Sequence, residues 1–154
     1  MLGLAPDRRG LLPEADVQRL REFGEAVRSR YGNNLALQHV RTGENEAAAL
    51  DNNPDTFWSA PVGSHHATLE MSFPAPVTFN RAVTMEWLND GQCVQKYAIE
   101  VWDAGGWKTV ASAQAIGHKK IDVFPAVKAS RVRLNILSSN SEAHIKEFQL
   151  YLAQ

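Results

Sequence analysis

The chain has 154 residues, enough for one globular domain with some length to spare. A formal charge of −1 gives no basic footprint for nucleic acid or an anionic membrane surface, and no apolar run is long enough to span a bilayer. The single cysteine, Cys93, excludes an internal disulfide framework. Met1–Gly10 is short and carries Asp7, Arg8 and Arg9, so no secretory signal is visible in it.

From Leu12 to Tyr31 the pattern is helical. Val17, Leu20, Gly24, Val27 and Tyr31 recur at steps of three and four, with Phe23 beside them. Pro13 suits a first helical position, and Glu14 and Asp16 suit the positive end of the helix. Gly32 and Asn33 are stop signals. No second helix follows to pair with this one. Its apolar stripe must lie on the following domain or belong to a neighbouring domain outside the chain.

Ala47–Ala60 gathers turn formers and oxygen-bearing side chains. Asp51, Asn52, Asn53, Pro54 and Asp55 bond their own backbone or fix φ, so they cannot extend a strand. Such a bend points carbonyls and carboxylates inward, which suits a hard cation such as calcium. Phe57 and Trp58 then pin the loop to a core. The alternative is a plain Asx turn above a core tryptophan.

The rest reads as short strands. Leu35–Val40 is one; the others are centred on Leu69–Phe73, Val83–Trp87, Tyr97–Val101, Ile121–Val123, Val132–Ile136 and Phe148–Leu152, each alternating apolar with polar residues. Turn signals at Pro74–Pro76, Asn89–Gly91, Gly105–Gly106, Gly117, Pro125 and Ser138–Ser141 separate them. About eight to nine strands at this spacing predict an all-β jelly-roll β-sandwich of two antiparallel sheets, preceded by one α-helix.

Catalytic patterns are thin. His65 and His66 are adjacent, so in a strand they face opposite ways and make a poor metal pair. Cys93 lies between Gln92 and Val94 and reads as a small buried hydrophobe. No Ser-His-Asp arrangement, zinc helix or phosphate-binding glycine loop is present.

Asp51-Asn52-Asn53-Pro54-Asp55-Thr56-Phe57-Trp58 resembles the first loop of coagulation-factor type C (discoidin-like) domains, which include the family 32 carbohydrate-binding modules. Ala67–Glu70, Thr78–Arg81, Gly91-Gln92, Trp102-Asp103 with Trp107-Lys108, Ile116–Lys119, Arg131–Leu134, and Ile145 with Glu147-Phe148 follow in the same order. The set looks most like the C-terminal module of bacterial family 29 α-L-fucosidases. Ala5–Leu12 with Asp16–Leu20 and Phe23-Gly24 resembles the end of those enzymes' catalytic barrel. The resemblance therefore implies that residues 1–33 are a barrel tail with one helix and that residues 34–154 are a discoidin-like sandwich. It further implies a parent enzyme outside the cytoplasm, periplasmic or extracellular, whose catalytic carboxylates lie upstream of Met1. The chain itself is expected not to cleave glycosides.

Three roles for such a sandwich are open: carbohydrate binding, structural docking onto the upstream catalytic barrel, and a discoidin-type protein or lipid contact. The polar loops, such as Ser138–Ser141, rank this third role lowest, and a membrane partner is not expected. The resemblance points to Glu86, Gln92, His118 and Lys119 for a glycan ligand, with Trp107 after the glycine turn as an aromatic face. The same four polar residues equally suit holding the module against the barrel. Family 32 binders usually carry an arginine where Trp87 and Leu88 stand, which weakens a galactose-type expectation. The resemblance also implies a structural calcium held by backbone oxygens of Ala48 and Asn53, the Asp51 carboxylate, the carbonyl and hydroxyl of Thr56, and Glu147. Asn52 stands where the family usually has glycine. Asparagine most readily shares glycine's left-handed conformation, so the turn should survive.

Overall fold

The computed structural model describes residues 4–40 and 43–153. The outer ends of the two predicted segments, residues 1–3 and 154, lie outside the described residues. The chain divides into two compact units, one up to Asn33 and one from Asn34–Ala153.

The first unit is built on helix α1, Glu14–Tyr31. Pro13 has φ −54° and ψ 140°, so it precedes the helix as its N-cap rather than opening the first turn. Gly32 closes the helix in the right-handed region, with its N–H on the Arg28 carbonyl at 2.8 Å. Ahead of the helix, Asp7 organises a tight turn. Its Oδ1 accepts from the N–H groups of Arg9 and Leu11, and its Oδ2 accepts from the Arg9 guanidinium. No residue of α1 is buried, and Phe23 is 56% exposed.

The second unit is an antiparallel β-sandwich. Its strands are β1 (Trp58–Ser59), β2 (Ala67–Glu86), β3 (Val94–Asp103), β4 (Gly106–Ala113), β5 (Lys120–Ser139) and β6 (His144–Tyr151). They pair in the order β1-β6-β2-β5-β3-β4. A short helix α2, Glu44–Ala47, precedes β1. There are six strands among the described residues, fewer than the alternation suggests, because β2 and β5 are each 20 residues long. Pro74–Pro76 and Pro125 are not turns but irregularities inside those strands, where the β2–β5 pairing slips. Proline has no N–H to give a ladder, so it settles where the ladder breaks. Leu35–Val40 is not a strand either. Leu35–Gln38 forms a 3₁₀ turn capped by the Asn34 side chain, and Val40 makes a single bridge to Ser72.

One apolar core fills the sandwich. Leu69, Met71, Val132 and Leu134 come from one half of the long strands, with Ile99 of β3 beside Leu134. Ala82, Phe124, Phe148 and Leu150 come from the other half and its β6 neighbour. Phe79 and Phe124 meet edge to face at 5.8 Å where β2 and β5 slip. At the start of β5 the even-numbered residues face in, as they do at Val132–Ile136. Ile121 and Val123 are exposed, whereas Asp122 and Phe124 point in. Asp122 stays hydrogen-bonded by accepting from the Tyr97 hydroxyl at 2.6 Å; burial, then this contact, pushes the Tyr97 phenol up. The hairpin between β3 and β4 turns on Ala104 (φ 47°) and Gly105 (φ 86°), one residue earlier than the glycine pair suggests. Two positive φ values in a two-residue loop match the twist of the flanking strands.

Candidate functional site

The acidic loop folds as a chain of Asx turns. Asp51 Oδ1 accepts from the Asn53 N–H at 2.9 Å, and Asn53 Oδ1 accepts from the Asp55 N–H at 3.1 Å. The Thr56 hydroxyl lies within hydrogen-bond distance of both Asp51 oxygens (3.1 and 3.0 Å) and of the Asn53 carbonyl (3.0 Å). Asn52 takes φ 61°, the left-handed conformation expected of it. Its side-chain oxygen accepts from Gln149 Nε2 at 3.0 Å, which ties the loop to β6. The same Gln149 amide reaches Glu147 Oε2 at 3.3 Å. Phe148 N–H donates to the Ala49 carbonyl at 2.8 Å. Ala48 is the C-cap residue of α2. Early loop and last strand therefore meet.

Glu147 is only 3% exposed and has no cationic partner within ion-pair distance among the described residues. Burial pushes its carboxyl up to about 7, and the charge of Asp51 adds to the shift. The Gln149 amide and the Asn52 N–H pull the other way. The buried Glu147 carboxylate and the Asp51 carboxylate, beside carbonyl and hydroxyl oxygens, make an all-oxygen donor set that fits a hard divalent cation. Among the described residues no three His, Cys, Asp or Glu side chains converge, so such a cation would rely on backbone and hydroxyl oxygens too.

Next to this loop lies a cleft of about 300 Å³, lined by Pro54, Asp55, Glu86, Trp87, Leu88, Asn89, His118 and Lys146. Its aromatic member is Trp87, stacked on Phe57 at 4.7 Å with rings 24° apart. Phe57 also touches His144, whose Nδ1 lies 3.2 Å from Asp90 Oδ2. Lys146 reaches the cleft because β6 bulges there. Met85 faces Glu147 and Glu86 faces Ile145, which leaves Lys146 as the extra residue. Its ammonium sits 5.7 Å from the Trp87 ring centre, in cation–π range.

The predicted sugar residues separate. Glu86 lines the cleft but is 2% exposed and fully engaged. Oε1 accepts from Cys93 N–H (2.5 Å) and Val94 N–H (2.8 Å), and Oε2 from Gly117 N–H (3.1 Å). It braces three backbone N–H groups on two segments and is not a free sugar contact. His118 is exposed and lines the cleft. Gln92 lies against Gly117, and Lys119 is an exposed neighbour of His118; neither lines the cleft. Trp107 is elsewhere, on β4 at the far edge of the sheet. It packs edge-on to Trp102 at 5.3 Å, with the Arg133 guanidinium 4.2 Å and the Arg131 guanidinium 5.2 Å from its ring. Arg133 is held in turn by Glu100 at 2.6 Å, and Arg131 by Glu70 at 2.8 Å. This stripe ties β2, β5, β3 and β4 together on the outer face. Trp87 and Asn89, in the polar and aromatic stretch Glu86–Gln92, complete the cleft with Lys146, which carries no sequence signal because a β-bulge leaves no mark in composition.

A larger groove of about 510 Å³ runs past Asn45, Glu46, Trp58 and Thr68. Both ends of the Asn45 amide are taken by the Ser59 backbone, at 3.0 and 3.1 Å, and Trp58 is 3% exposed. That groove offers no free aromatic face. Cys93 is buried, as its setting suggests, with Ser141 Oγ 2.9 Å from its sulfur. His65 Nδ1 lies 2.8 Å from the Ser139 carbonyl.

The family model for the F5/8 type C domain matches residues 34–148. Alpha-L-fucosidase 1 of Arabidopsis thaliana is 26% identical over 165 residues, which covers 99% of this chain and 33% of the relative. The chain thus spans about a third of the length of that curated relative. Among solved structures, a GH29 fucosidase of Ruminococcus gnavus in complex with fucose superposes with a TM-score of 0.82 at 21% identity, over 100% of this chain and 33% of that one. Chitosan-binding module 1 of a chitosanase/glucanase from Paenibacillus superposes at 0.67 with 23% identity, over 77% and 97%. At these identities both structures speak for the fold alone.

Proposed function

The chain belongs to the F5/8 type C domain family, and from that premise we propose that it is a non-catalytic, glycan-binding module of an α-L-fucosidase-like glycoside hydrolase. The observation that carries the reading is the cleft. An indole braced by Phe57 stands beside an amide, an imidazole, a carboxylate and an ammonium in about 300 Å³. Sugar sites combine an apolar ring face for C–H groups with a few fixed polar groups, and small clefts of this size hold one or two sugar units. A calcium ion held by Asp51, Asn53, Thr56 and Glu147, with the Ala48 carbonyl, stiffens the loop that walls this cleft. Its role is structural, and no chemistry runs through it. The relatives' names support the fucosidase context.

The test is a glycan array on this chain, followed by calorimetry with fucosylated and galactosylated oligosaccharides. Weak, millimolar-class binding that Trp87→Ala weakens roughly tenfold or more is expected. An array without any hit would leave the docking role instead.

One observation favours that second role alongside the first. The apolar face of α1 is uncovered within its own unit: Phe23 and Val27 are 56% and 40% exposed, and Leu4, Leu20 and Phe23 line a largely apolar hollow of about 240 Å³ with Asp16 and Arg19. A face of this kind suits the remainder of a longer enzyme. Co-expression with a family 29 catalytic barrel should yield a complex that Phe23→Asp disrupts.

A further inference from the structure

We infer that cation occupancy of the Asp51–Thr56 loop sets the order of the Trp87 cleft, so that the two sites act as one linked unit; this rests on the cation and cleft readings above. The two sites draw on consecutive residues of the same two segments. In the loop, Asp51, Asn53 and Thr56 supply donor oxygens while Pro54 and Asp55 wall the cleft. In β6, Glu147 is buried beside Gln149 and Asn52, while Lys146, set apart by the bulge, lines the cleft. Lys146 directly precedes Glu147 in the chain, so the backbone that carries one carries the other.

The tightest link is Thr56–Phe57. The Thr56 hydroxyl is held by Asp51 and by the Asn53 carbonyl, and the next ring, Phe57, is the stacking partner of Trp87 at 4.7 Å. With no cation, Asp51 and Glu147 repel, and each is held separately, Asp51 by the Thr56 hydroxyl and Glu147 by the Gln149 amide. A divalent ion removes that repulsion and immobilises Thr56. Phe57, and with it Trp87, then occupies one arrangement instead of several. Linkage is reciprocal: a ligand that orders Trp87 must raise cation affinity by the same factor as the cation raises the ligand's.

The experiment needs no glycan. The protein is labelled with 5-fluorotryptophan, stripped with EDTA and titrated with CaCl₂, with calorimetry in parallel. Trp87→Phe assigns the Trp87 resonance, and Trp102 and Trp107 serve as internal controls. The Trp87 ¹⁹F signal should shift or sharpen with the same midpoint as the heat of calcium binding, while Trp102 and Trp107 stay in place. Asp51→Ala should remove both the heat and the Trp87 response. Calcium heat with a silent Trp87 overturns the linkage and leaves the cation reading standing. Absence of heat at millimolar calcium overturns both, and a Trp87 response that survives in Asp51→Ala overturns the proposed route.

Discussion

Glu86 and Gly117 hold each other twice. The Glu86 N–H donates to the Gly117 carbonyl at 3.0 Å, and the Gly117 N–H donates back to Glu86 Oε2 at 3.1 Å. With Cys93 and Val94 on the other oxygen, one buried carboxylate joins the end of β2 to two loops beside the cleft. Glu86→Gln puts a donating amide against an N–H group. It should cost about 1–3 kcal/mol, read as a lower urea midpoint at unchanged m value. Glu86→Ala leaves three N–H groups without an acceptor and should cost more.

Glu147 predicts an inverted pH dependence in cation-free protein. Its folded value, about 7, lies above the ordinary carboxylate range. Its contribution is therefore fully present at low pH and lost as pH rises through about 7. The thermal midpoint in EDTA should fall over that interval more in wild type than in Glu147→Gln. At alkaline pH the variant should be the more stable, by about 1–3 kcal/mol. Equal pH slopes for the two proteins would remove the claim.

Saturating calcium should reverse that ordering, because the ion takes the carboxylate form. At about 100 times its Kd a ligand adds about 2.7 kcal/mol, and each kcal/mol raises Tm by about 2–4 °C in a chain of this size. Asp51→Ala should abolish the rise seen by scanning calorimetry. Asp55→Ala, whose side chain lines the cleft rather than the donor set, should keep most of it.

The two exposed-face tryptophans should part company. Trp87→Ala should weaken glycan binding roughly tenfold or more, about 1.4 kcal/mol. Trp107→Ala should leave the array profile alone and lower stability by about 1–3 kcal/mol, since Arg133 loses its ring and Glu100 its ordered partner. A glycan array and a urea melt on each variant read both effects.

Residue pattern alone gives the sandwich and the helix ahead of it; that the early loop meets the last strand is legible only through the family resemblance. The first two follow from local rules: turn residues that cannot extend, and alternation that buries one face. Pattern failed over which face of a strand turns in. Ile121 and Val123 alternate with polar neighbours, yet face solvent, while Asp122 and Phe124 turn in to Tyr97 and Phe79. Thr84 and Glu86 read as outward and lie inside. Lys146 was invisible because a bulge changes the count. Trp107 looked like a ligand platform because sequence shows the indole but not the arginines that cross to it from β5.

The sheet has two open margins, and they are unequal. β1 is two residues long and offers almost no hydrogen-bonding template. β4, at the other margin, runs for eight residues. Ile99 faces Ala111 and Glu100 faces Thr109, so Val110 breaks its rhythm halfway, and Lys108 is exposed beside it. A broken, charged border is a poor seed for strand-on-strand aggregation. Replacing Lys108 with an apolar residue would strip that guard from the long margin and invite copies to stack edge to edge.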